Sequence, residues 1–247
     1  MNSTPRKSLQ GLDSLSLIEE AQKIAKSVKS WKKASPHYFS VPQSTSKVAT
    51  DIYSANFNDD YWVARHNNFS ELSAAGRKSI FGHLMDYSVA STDELAKCHT
   101  EYEKGYITEL QDFKLSPFVL ENPPKDYHCF TYLAELYYEL QWPLKKRKFC
   151  NLIHIAKSKD GNRGYVISIA IDPSLIPNSS PDTQFVHAQY TSVEEVVFDP
   201  DRDTLDWIMT TSSDAKGNVP LWLAKATMNG VVAKDVLHFL HWVSHKE

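Results

Sequence analysis

Residues 204–243 read TLDWIMTTSSDAKGNVPLWLAKATMNGVVAKDVLHFLHWV, and no other stretch of the chain has so clear a pattern. Residues 204–211 alternate in polarity and are rich in β-branched and aromatic side chains, which predicts a strand. Residues 212–218 have the composition of a turn. Pro220 stands where a helix can begin, because its missing N–H is not needed in the first turn. The stretch therefore predicts a strand, a turn and a long terminal helix.

The apolar residues of this helix recur at helical spacing and fall on one broad arc. They are Leu221, Ala224, Met228, Val231, Val232, Val236, Phe239, Leu240 and Val243. Asp235 falls inside the arc, where a charged side chain needs a partner. A helix of about two dozen residues is about 35 Å long, enough to lie across a whole sheet. We expect a curved antiparallel sheet to grip this helix.

The rest of the chain has the element order of an α+β protein. A Ser-Leu-Ile-Glu capping box at residues 16–19 predicts a helix to residue 31, and a second box predicts a helix over residues 92–110. Strands are predicted at residues 48–57, 61–69, 127–140, 148–157, 164–171, 184–198 and 204–211. Residues 1–11 are polar and are predicted to be disordered. Because no linker divides the remainder, residues 12–247 are predicted to form a single domain.

Composition is that of an ordinary soluble protein, with 42% hydrophobic and 23% charged residues. A net charge of −3 gives no general attraction to nucleic acid. The three cysteines are scattered, which argues against a disulfide scaffold and favours a reducing compartment. The chain shows neither an apolar signal region nor a stretch long enough to span a bilayer. We expect a cytoplasmic protein that at most visits organelle membranes peripherally.

Residues that could carry out catalysis or bind a metal do not form a convincing group. His238, His241 and His245 share a helix face, but no carboxylate joins them, and a solvated histidine face is favoured over a metal site. Cys150 and His154 would lie about 13 Å apart along one strand, too far for a thiolate pair. No Gly-x-Ser-x-Gly elbow occurs. The sequence predicts neither an enzyme nor a bound cofactor or metal.

Several motifs in the second half of the chain resemble those of an uncharacterised family of fungal proteins related to START lipid-binding domains. A Tyr-x-Ser-Val-Glu strand starts at Tyr190, and a Trp-x-Met-x-Thr strand starts at Trp207. The terminal helix carries Pro-x-Trp from Pro220 and Lys-Asp-Val-x-x-Phe-Leu-x-Trp from Lys234. Together with earlier pieces, the matching segments cover residues 60–243 in the expected order. The resemblance implies a START-like helix-grip fold, in which a curved antiparallel sheet wraps around a long C-terminal helix.

The resemblance also implies binding of a hydrophobic lipid, such as a sterol, ceramide or phospholipid, and its transfer between membranes without catalysis. The cavity would lie between the sheet and the terminal helix. The partner of Asp235 would be either a buried Arg65 or Arg147, or a lipid headgroup or sterol hydroxyl. Two alternatives are a protein-interaction module that uses the same groove and a helix-grip enzyme of the hydrolase or cyclase type. The expected lipid-binding residues are Tyr190, Trp207, Met209, Thr211, Met228, Val231, Val232, Asp235, Val236 and Phe239.

Two basic clusters are candidates for transient contact with anionic membranes, where each cation contributes about 1 kcal/mol. Residues 1–47 carry eight Lys and Arg against three Asp and Glu, although the whole chain is acidic. The alternative for these lysines is a solvated helix face. Nucleic acid is not an expected partner, because no aromatic interleaving accompanies the charge. The candidate membrane-contact residues are Lys23, Lys26, Lys29, Lys145, Lys146 and Lys148.

Overall fold

The computed structural model describes residues 1–42, 44–57, 60–139, 146–179, 183–214, 216 and 221–246. For residues 57 and 221–227 it describes the backbone alone. The predicted turn at residues 58–60 and Lys145 lie wholly or partly outside these ranges.

One eleven-stranded sheet forms the body of the protein, with strand order β1-β3-β4-β11-β10-β8-β7-β6-β5. All neighbours along this path are antiparallel; β2 pairs with β3, and β9 pairs in parallel with β7. The curved antiparallel sheet predicted from the sequence is thus confirmed. The strands are β1 (Lys32–Lys33), β2 (His37–Ser40), β3 (Lys47–Phe57), β4 (Asp60–Asn68), β5 (Leu110–Phe118), β6 (Tyr127–Tyr138), β7 (Arg147–Ser158), β8 (Arg163–Ala170), β9 (Val186–His187), β10 (Gln189–Asp199) and β11 (Thr204–Asp214).

Four α-helices accompany the sheet: α1 (Ser14–Ser27), α2 (Ala74–His83), α3 (His99–Tyr106) and α4 (Leu221–Val243). A π-helical turn, Leu84–Val89, continues from α2. Helix α4 is the predicted terminal helix, which confirms the helix-grip architecture. The structure shortens the helix predicted over residues 92–110 to α3. Sequence analysis did not predict α2 or β5.

The sheet is covered on both faces, and we call the face beneath α4 the inner face and the opposite one the outer face. On the outer face, Leu17 and Ile18 of α1 pack with Leu152 and Ile167. On the inner face, α4 packs with the strand side chains that alternate with those of the outer face along the sequence. Because successive strand residues point to opposite faces, β7 is buried along most of its length on both sides.

Helix α1 begins two residues before the predicted capping box. Its N-cap is Asp13, whose carboxylate accepts a hydrogen bond from the Ser16 amide at 3.0 Å. The helix then buries Leu17, Ile18 and Ala21 on a single stripe. The predicted helix is confirmed, and its cap is an aspartate rather than a serine.

The expectation of a disordered segment at residues 1–11 is wrong. The amide of Arg6 donates to the carbonyl of Ala170 at 2.9 Å, and the amide of Asp172 donates to the carbonyl of Arg6 at 2.8 Å. The Ser3 hydroxyl also donates to Asp60 at 3.1 Å. The end of β8 presents backbone groups that need partners, and the N-terminal segment supplies them despite its polar composition.

Helices α3 and α4 touch where a glycine allows close approach. A Cβ at Gly105 would lie 2.7 Å from Nε1 of Trp242, so α3 accepts the Trp242 ring only because position 105 has no side chain. The same indole ring contacts Tyr87, Tyr102 and Tyr106 edge-on or tilted. This contact fixes the C-terminal end of α4.

The inner side of α4 is narrower than the predicted arc. Val232 and Val236 are 4% and 0% exposed, whereas Val231 is 60% exposed. The inward position expected for Val231 is therefore wrong. Each helical residue turns the side chain by about 100°, and the arc drawn from the sequence was one residue too wide.

Because Val236 is buried and Val231 is exposed, the same substitution should affect stability differently at the two positions. Val236→Trp adds bulk to a filled contact between helix and sheet and should lower the free energy of unfolding by about 1–3 kcal/mol. Val231→Trp, the matched control, adds the same ring on the exposed side and should change it by less than about 0.5 kcal/mol. Urea unfolding of both variants measures the difference, and equal effects would contradict this placement of α4.

Candidate functional site

The sheet residues that sequence analysis named for the site share the inner face. Trp207, Met209 and Thr211 alternate along β11, and Trp207 and Met209 belong to clusters that include residues of α4. Tyr190 of β10 contacts the ring of Phe149, with centroids 6.1 Å apart. The alternation predicted for residues 204–211 is therefore confirmed.

The named residues of α4, apart from Val231, lie towards the sheet or the groups beneath it. Val232 packs with Ile52 and Val63, and Met228 packs against the same cluster. Val236 and Phe239 are fully buried in the main inner cluster. Contact of these residues with a ligand stays a prediction.

A buried arginine stands at the centre of the inner face. Arg65 of β4 is 2% exposed, and its guanidinium carbon lies 3.8 Å from the centroid of the Trp207 ring. Its Nη1 donates to Oδ1 of Asn67 at 2.7 Å, and its Nη2 lies 3.8 Å from Oε2 of Glu194. Its buried Nε has no hydrogen-bond partner among the described residues. Burial lowers the pKa of Arg65, and the nearby carboxylates of Glu194 and Asp235 raise it.

Glu194 is held firmly in this arrangement. Its Oε1 accepts a hydrogen bond from Nε1 of Trp207 at 2.9 Å and another from the hydroxyl of Ser88. The carboxylate thus neutralises Arg65 and also orients the aromatic ring that covers it. The Arg65 guanidinium, the Trp207 ring and the Glu194 carboxylate therefore form one connected group.

Two further carboxyl groups, those of Asp235 and Glu103, face the same region but lack the hydrogen bonds that hold Glu194. Asp235 forms no hydrogen bond or ion pair of 4.0 Å or less with another described residue. Burial raises its pKa to about 7; the Arg65 charge lowers it, and Glu103 and Glu194 raise it further. Burial also raises the pKa of Glu103, which lies 3.6 Å from Nε2 of His99. The ion pair considered between Asp235 and Arg65 is therefore not formed, because Glu194 takes that place.

A strip of half-exposed side chains leads away from this charged centre. We call it the inner lane and define it as Phe113, Leu115, Tyr138, Phe149 and Tyr190, which lie on β5, β6, β7 and β10. The ring centroids of Tyr138 and Phe149 are 5.3 Å apart, and those of Phe149 and Tyr190 are 6.1 Å apart. Helix α4 contacts β2, β3 and β4, so it covers the other half of the inner face.

The inner lane and the charged centre are neighbours. Burial raises the pKa values of the Tyr138 and Tyr190 phenols, and the charges of Glu103 and Asp235 raise them further. Near the end of the lane, Tyr138 also borders a depression of about 260 Å³ at the rim of the sheet. The other residues around this depression are Gln111, Asp112, Lys114, Tyr137, Glu139, Lys146 and Phe185.

The structure separates the candidate membrane-contact lysines. Lys23 and Lys26 are exposed on α1 and Lys29 on the turn that follows it, and the charges of Lys26 and Lys29 act on Glu195 and Asp206 of the outer face. Lys146 lies at the opposite end of the strands, 3.3 Å from Glu139. The two clusters therefore do not form one patch.

The expectation that Lys148 contacts a membrane is wrong. Its side chain is 1% exposed and forms an ion pair with Glu135, which is equally buried. Tyr137 donates to the same carboxylate at 2.9 Å, and Lys148 donates to Ser179 at 3.3 Å. Lys148 has the outer-face parity of β7, where it meets a carboxylate from β6 that is distant in sequence.

Sequence analysis did not name the carboxyl group of Glu103, the inner-lane residues of β5 and β6, or Phe149 as site residues. Tyr138 could have been found from the alternation of β6, because it has the same parity as Tyr132 and Leu136 in the inner cluster. Leu115 could not, because β5 was not predicted. No local sequence pattern marks Glu103, because the carboxyl groups it interacts with, Glu194 and Asp235, lie on β10 and α4.

Two further expectations concern metals and membranes. Among the described residues, no group of three or more His, Cys, Asp or Glu side chains is arranged to hold a metal ion. The rings of His241, on α4, and His245, just beyond its end, are tilted against each other with centroids 4.8 Å apart. No helix in the described ranges is both long enough and apolar enough to cross a bilayer.

Comparison with known proteins gives one family and a set of similar folds. Residues 62–243 match the family model "Protein of unknown function (DUF3074)". No curated protein matches the sequence. Human STARD10 is similar with a TM-score of 0.65 at 12% identity, covering 98% of this chain and 84% of that one. Human StAR-related lipid transfer protein 5 is similar with a TM-score of 0.58 at 9% identity, covering 94% of this chain and 98% of that one.

The human StarD13 (DLC2) lipid transfer and protein localization domain is also similar, with a TM-score of 0.54 at 13% identity. That match covers 92% of this chain and 95% of the domain. At these identities the likeness establishes the fold, which is START-like. The START-like fold that the resemblance implies is confirmed.

The environment of Asp235 predicts a pH-dependent stability. Its pKa of about 7 in the folded protein lies above the ordinary value of 3.8, so the folded state favours the protonated acid. This preference is complete at low pH and becomes a penalty as pH rises through 7. Asp235→Asn removes the ionisation, so its stability relative to wild type should increase by roughly 2 kcal/mol between pH 5 and pH 8.

Chemical denaturation at the two pH values measures this change. Asp201→Asn is the matched control, because Asp201 is exposed in the turn between β10 and β11, and it should show the same difference from wild type at both values. A constant difference between Asp235→Asn and wild type would show that the carboxyl group is solvated as an ordinary aspartate.

Proposed function

We propose that this chain, which belongs to the DUF3074 family of proteins of unknown function, binds a hydrophobic lipid on the inner face of its sheet and transfers it between membranes without catalysis. The observation that carries the proposal is the inner lane. It is a strip of half-exposed aromatic and aliphatic side chains that ends at a buried charged centre. Two of the similar human proteins are named for lipid transfer, which supports the proposal.

The inner lane suits the apolar part of a lipid. Its side chains pack against the inner core yet keep exposed surface beside it, and each CH₂ group that covers such surface contributes about 0.8 kcal/mol. Leu115 lies opposite Ala134 in the register of β5 and β6, and its side chain is only half-buried, so part of its apolar surface is open to a ligand. An alkyl chain or a fused ring system would cover this surface.

The charged centre suits the polar part of the same molecule. Asp235 and the Tyr138 hydroxyl form no hydrogen bonds with other described residues, so they are available to a ligand. Both side chains are half-buried, and a lipid head that covers them would have to supply hydrogen-bond partners, because buried polar groups without partners are costly. On this basis we keep the proposed role in lipid binding for five residues: Tyr190, Trp207, Met209, Thr211 and Asp235.

Release of the lipid requires a path past α4 or along the rim. Because Trp242 and its aromatic neighbours anchor the C-terminal end of α4, we propose that the helix moves away from the inner lane while this end stays in place. Movements of such lids commonly occur in microseconds to milliseconds.

A non-catalytic role is proposed because the reactive groups near the site are engaged with one another. The Ser88 hydroxyl donates to Glu194 and not to a histidine. His99 bonds the Ser88 carbonyl through Nδ1 and lies beside Glu103 through Nε2, an arrangement that fixes its ring. These contacts position side chains rather than activate a nucleophile.

Filling the inner lane tests the proposal directly. Leu115→Trp places a large ring where the apolar part of the lipid would lie, so lipid recovered with the purified protein should fall several-fold while thermal stability changes little. Val119→Trp is the matched control, because Val119 is 87% exposed just beyond the same strand and should retain wild-type loading.

Mass spectrometry of the co-purified lipid, together with a vesicle extraction assay, gives the measurement for both variants. Wild-type protein that neither carries nor extracts any lipid would overturn the proposed function. Unchanged loading of Leu115→Trp would place the ligand away from the inner lane.

Membrane contact by the exposed lysines is a separate proposal. Lys23, Lys26 and Lys29 changed to Glu together should weaken binding to phosphatidylserine vesicles, and added salt should weaken wild-type binding in the same way. Lys146→Glu tests the rim independently. The matched control changes the exposed Lys78, Lys97 and Lys159 to Glu. If both triple variants lose equal affinity, net charge is responsible and the α1 lysines are an ordinary solvated face.

A further inference from the structure

The positive charge of Arg65 is already satisfied before any ligand arrives. Trp207 covers one face of the guanidinium, Asn67 accepts from Nη1, and Glu194 supplies the compensating charge. Only Nε lacks a partner among the described residues, and it has no accessible surface. Arg65 is therefore poorly placed to receive a second anion.

The acidic groups around Arg65 outnumber it. Glu194 lies 3.8 Å from Arg65, the charge of Asp235 also acts on Arg65, and Glu103 acts on Asp235, so three carboxyl groups surround a region with one guanidinium. Two histidines are close by: Nε2 of His99 lies 3.6 Å from Glu103, and His238 follows Asp235 by three residues on α4, with a buried Nδ1 that has no hydrogen-bond partner among the described residues. The charged centre thus has spare hydrogen-bond acceptors and an excess of negative charge.

The titration behaviour agrees with this geometry. Burial is the largest cause of the raised pKa values of Asp235 and Glu103, and the mutual repulsion of the carboxylates adds to it. The site therefore favours whatever adds a proton or another donor, and opposes whatever adds a negative charge.

We propose that the interior selects a lipid whose polar group donates hydrogen bonds and carries no negative charge, namely a long-chain amine or alcohol, and excludes lipids with a phosphate monoester head. This inference rests on the proposed lipid binding and narrows it to one chemical class. The amine or hydroxyl would donate to Asp235 and Glu103. A phosphate would meet these carboxylates, and the Arg65 charge that could compensate it is already paired with Glu194.

Competitive extraction from vesicles tests the selection. Phosphatidylcholine vesicles carry equal trace amounts of radiolabelled sphingosine, cholesterol and phosphatidate, and the full-length protein is separated from them after incubation. Sphingosine or cholesterol should be recovered at least about tenfold above phosphatidate, since the phosphate would be placed beside carboxylates of like charge. The ratio of the first two distinguishes the amine from the alcohol.

Each other outcome has a distinct meaning. Phosphatidate recovered at a comparable or higher level, or extraction of phosphatidylcholine alone, would overturn the selection but leave lipid binding standing. Extraction of no lipid at all would overturn both proposals.

Substitutions assign the selection to its residues. Asp235→Asn and Glu103→Gln keep side-chain size while removing charge, so each should raise the share of phosphatidate several-fold. Asp201→Asn and Glu101→Gln are exposed matched controls and should keep the wild-type ratio. A wild-type ratio in the Asp235 and Glu103 variants would show that their charges do not set the selection.

Discussion

The fold depends on covering both faces of one sheet. Strands β7 and β8 bury side chains in both directions, so neither strand could be stable with one face in water. Helix α1 covers the outer face through Leu17, Ile18 and Ala21, and α4 covers part of the inner face. The coverage is unequal, because α4 lies over β2, β3 and β4. The inner lane is the part of the inner face that this helix leaves half-exposed.

Buried charges are balanced on the outer face of the sheet but not on the inner face. On the outer face, Lys148 and Glu135 neutralise each other, and Tyr137 and Ser179 complete their hydrogen bonds. On the inner face, Arg65 and Glu194 form a similar unit, but Asp235 and Glu103 are left over. Such an excess is expensive in a core that serves stability alone. Functional sites often break the rule that charges inside a protein are paired, and in this protein the rule is broken at the charged centre.

Local pattern was enough to predict much of the architecture. Strand β11, helix α4 and the inward position of Asp235 follow from alternation and helical spacing in residues 204–243. The helix-grip topology came from the resemblance of those motifs. What could not be predicted depends on contacts between distant residues. Lys148 looks exposed until Glu135 is placed beside it, and residues 1–11 look disordered until Arg6 meets the end of β8.

The errors within elements have equally physical causes. Val231 satisfies the apolar pattern of α4 but stands one helical step beyond its buried side. Strand β5 was missed because Pro117 suggested a loop, although proline is tolerated on an edge strand such as this one. The charged centre joins β4, β10, α3 and α4, and no single stretch of sequence contains enough of it to be recognised.

The double burial of β7 also limits how this chain can change in length. Deleting one residue from the middle of the strand would exchange the two faces of everything beyond the deletion. His154, which is bonded to Ser14 and Thr131 under α1, would turn towards the interior, and Ile155 would take its place beneath the helix. A strand with one solvated face could absorb such an exchange with polar residues. In β7 both faces are occupied, so changes in length must be confined to the connections between strands.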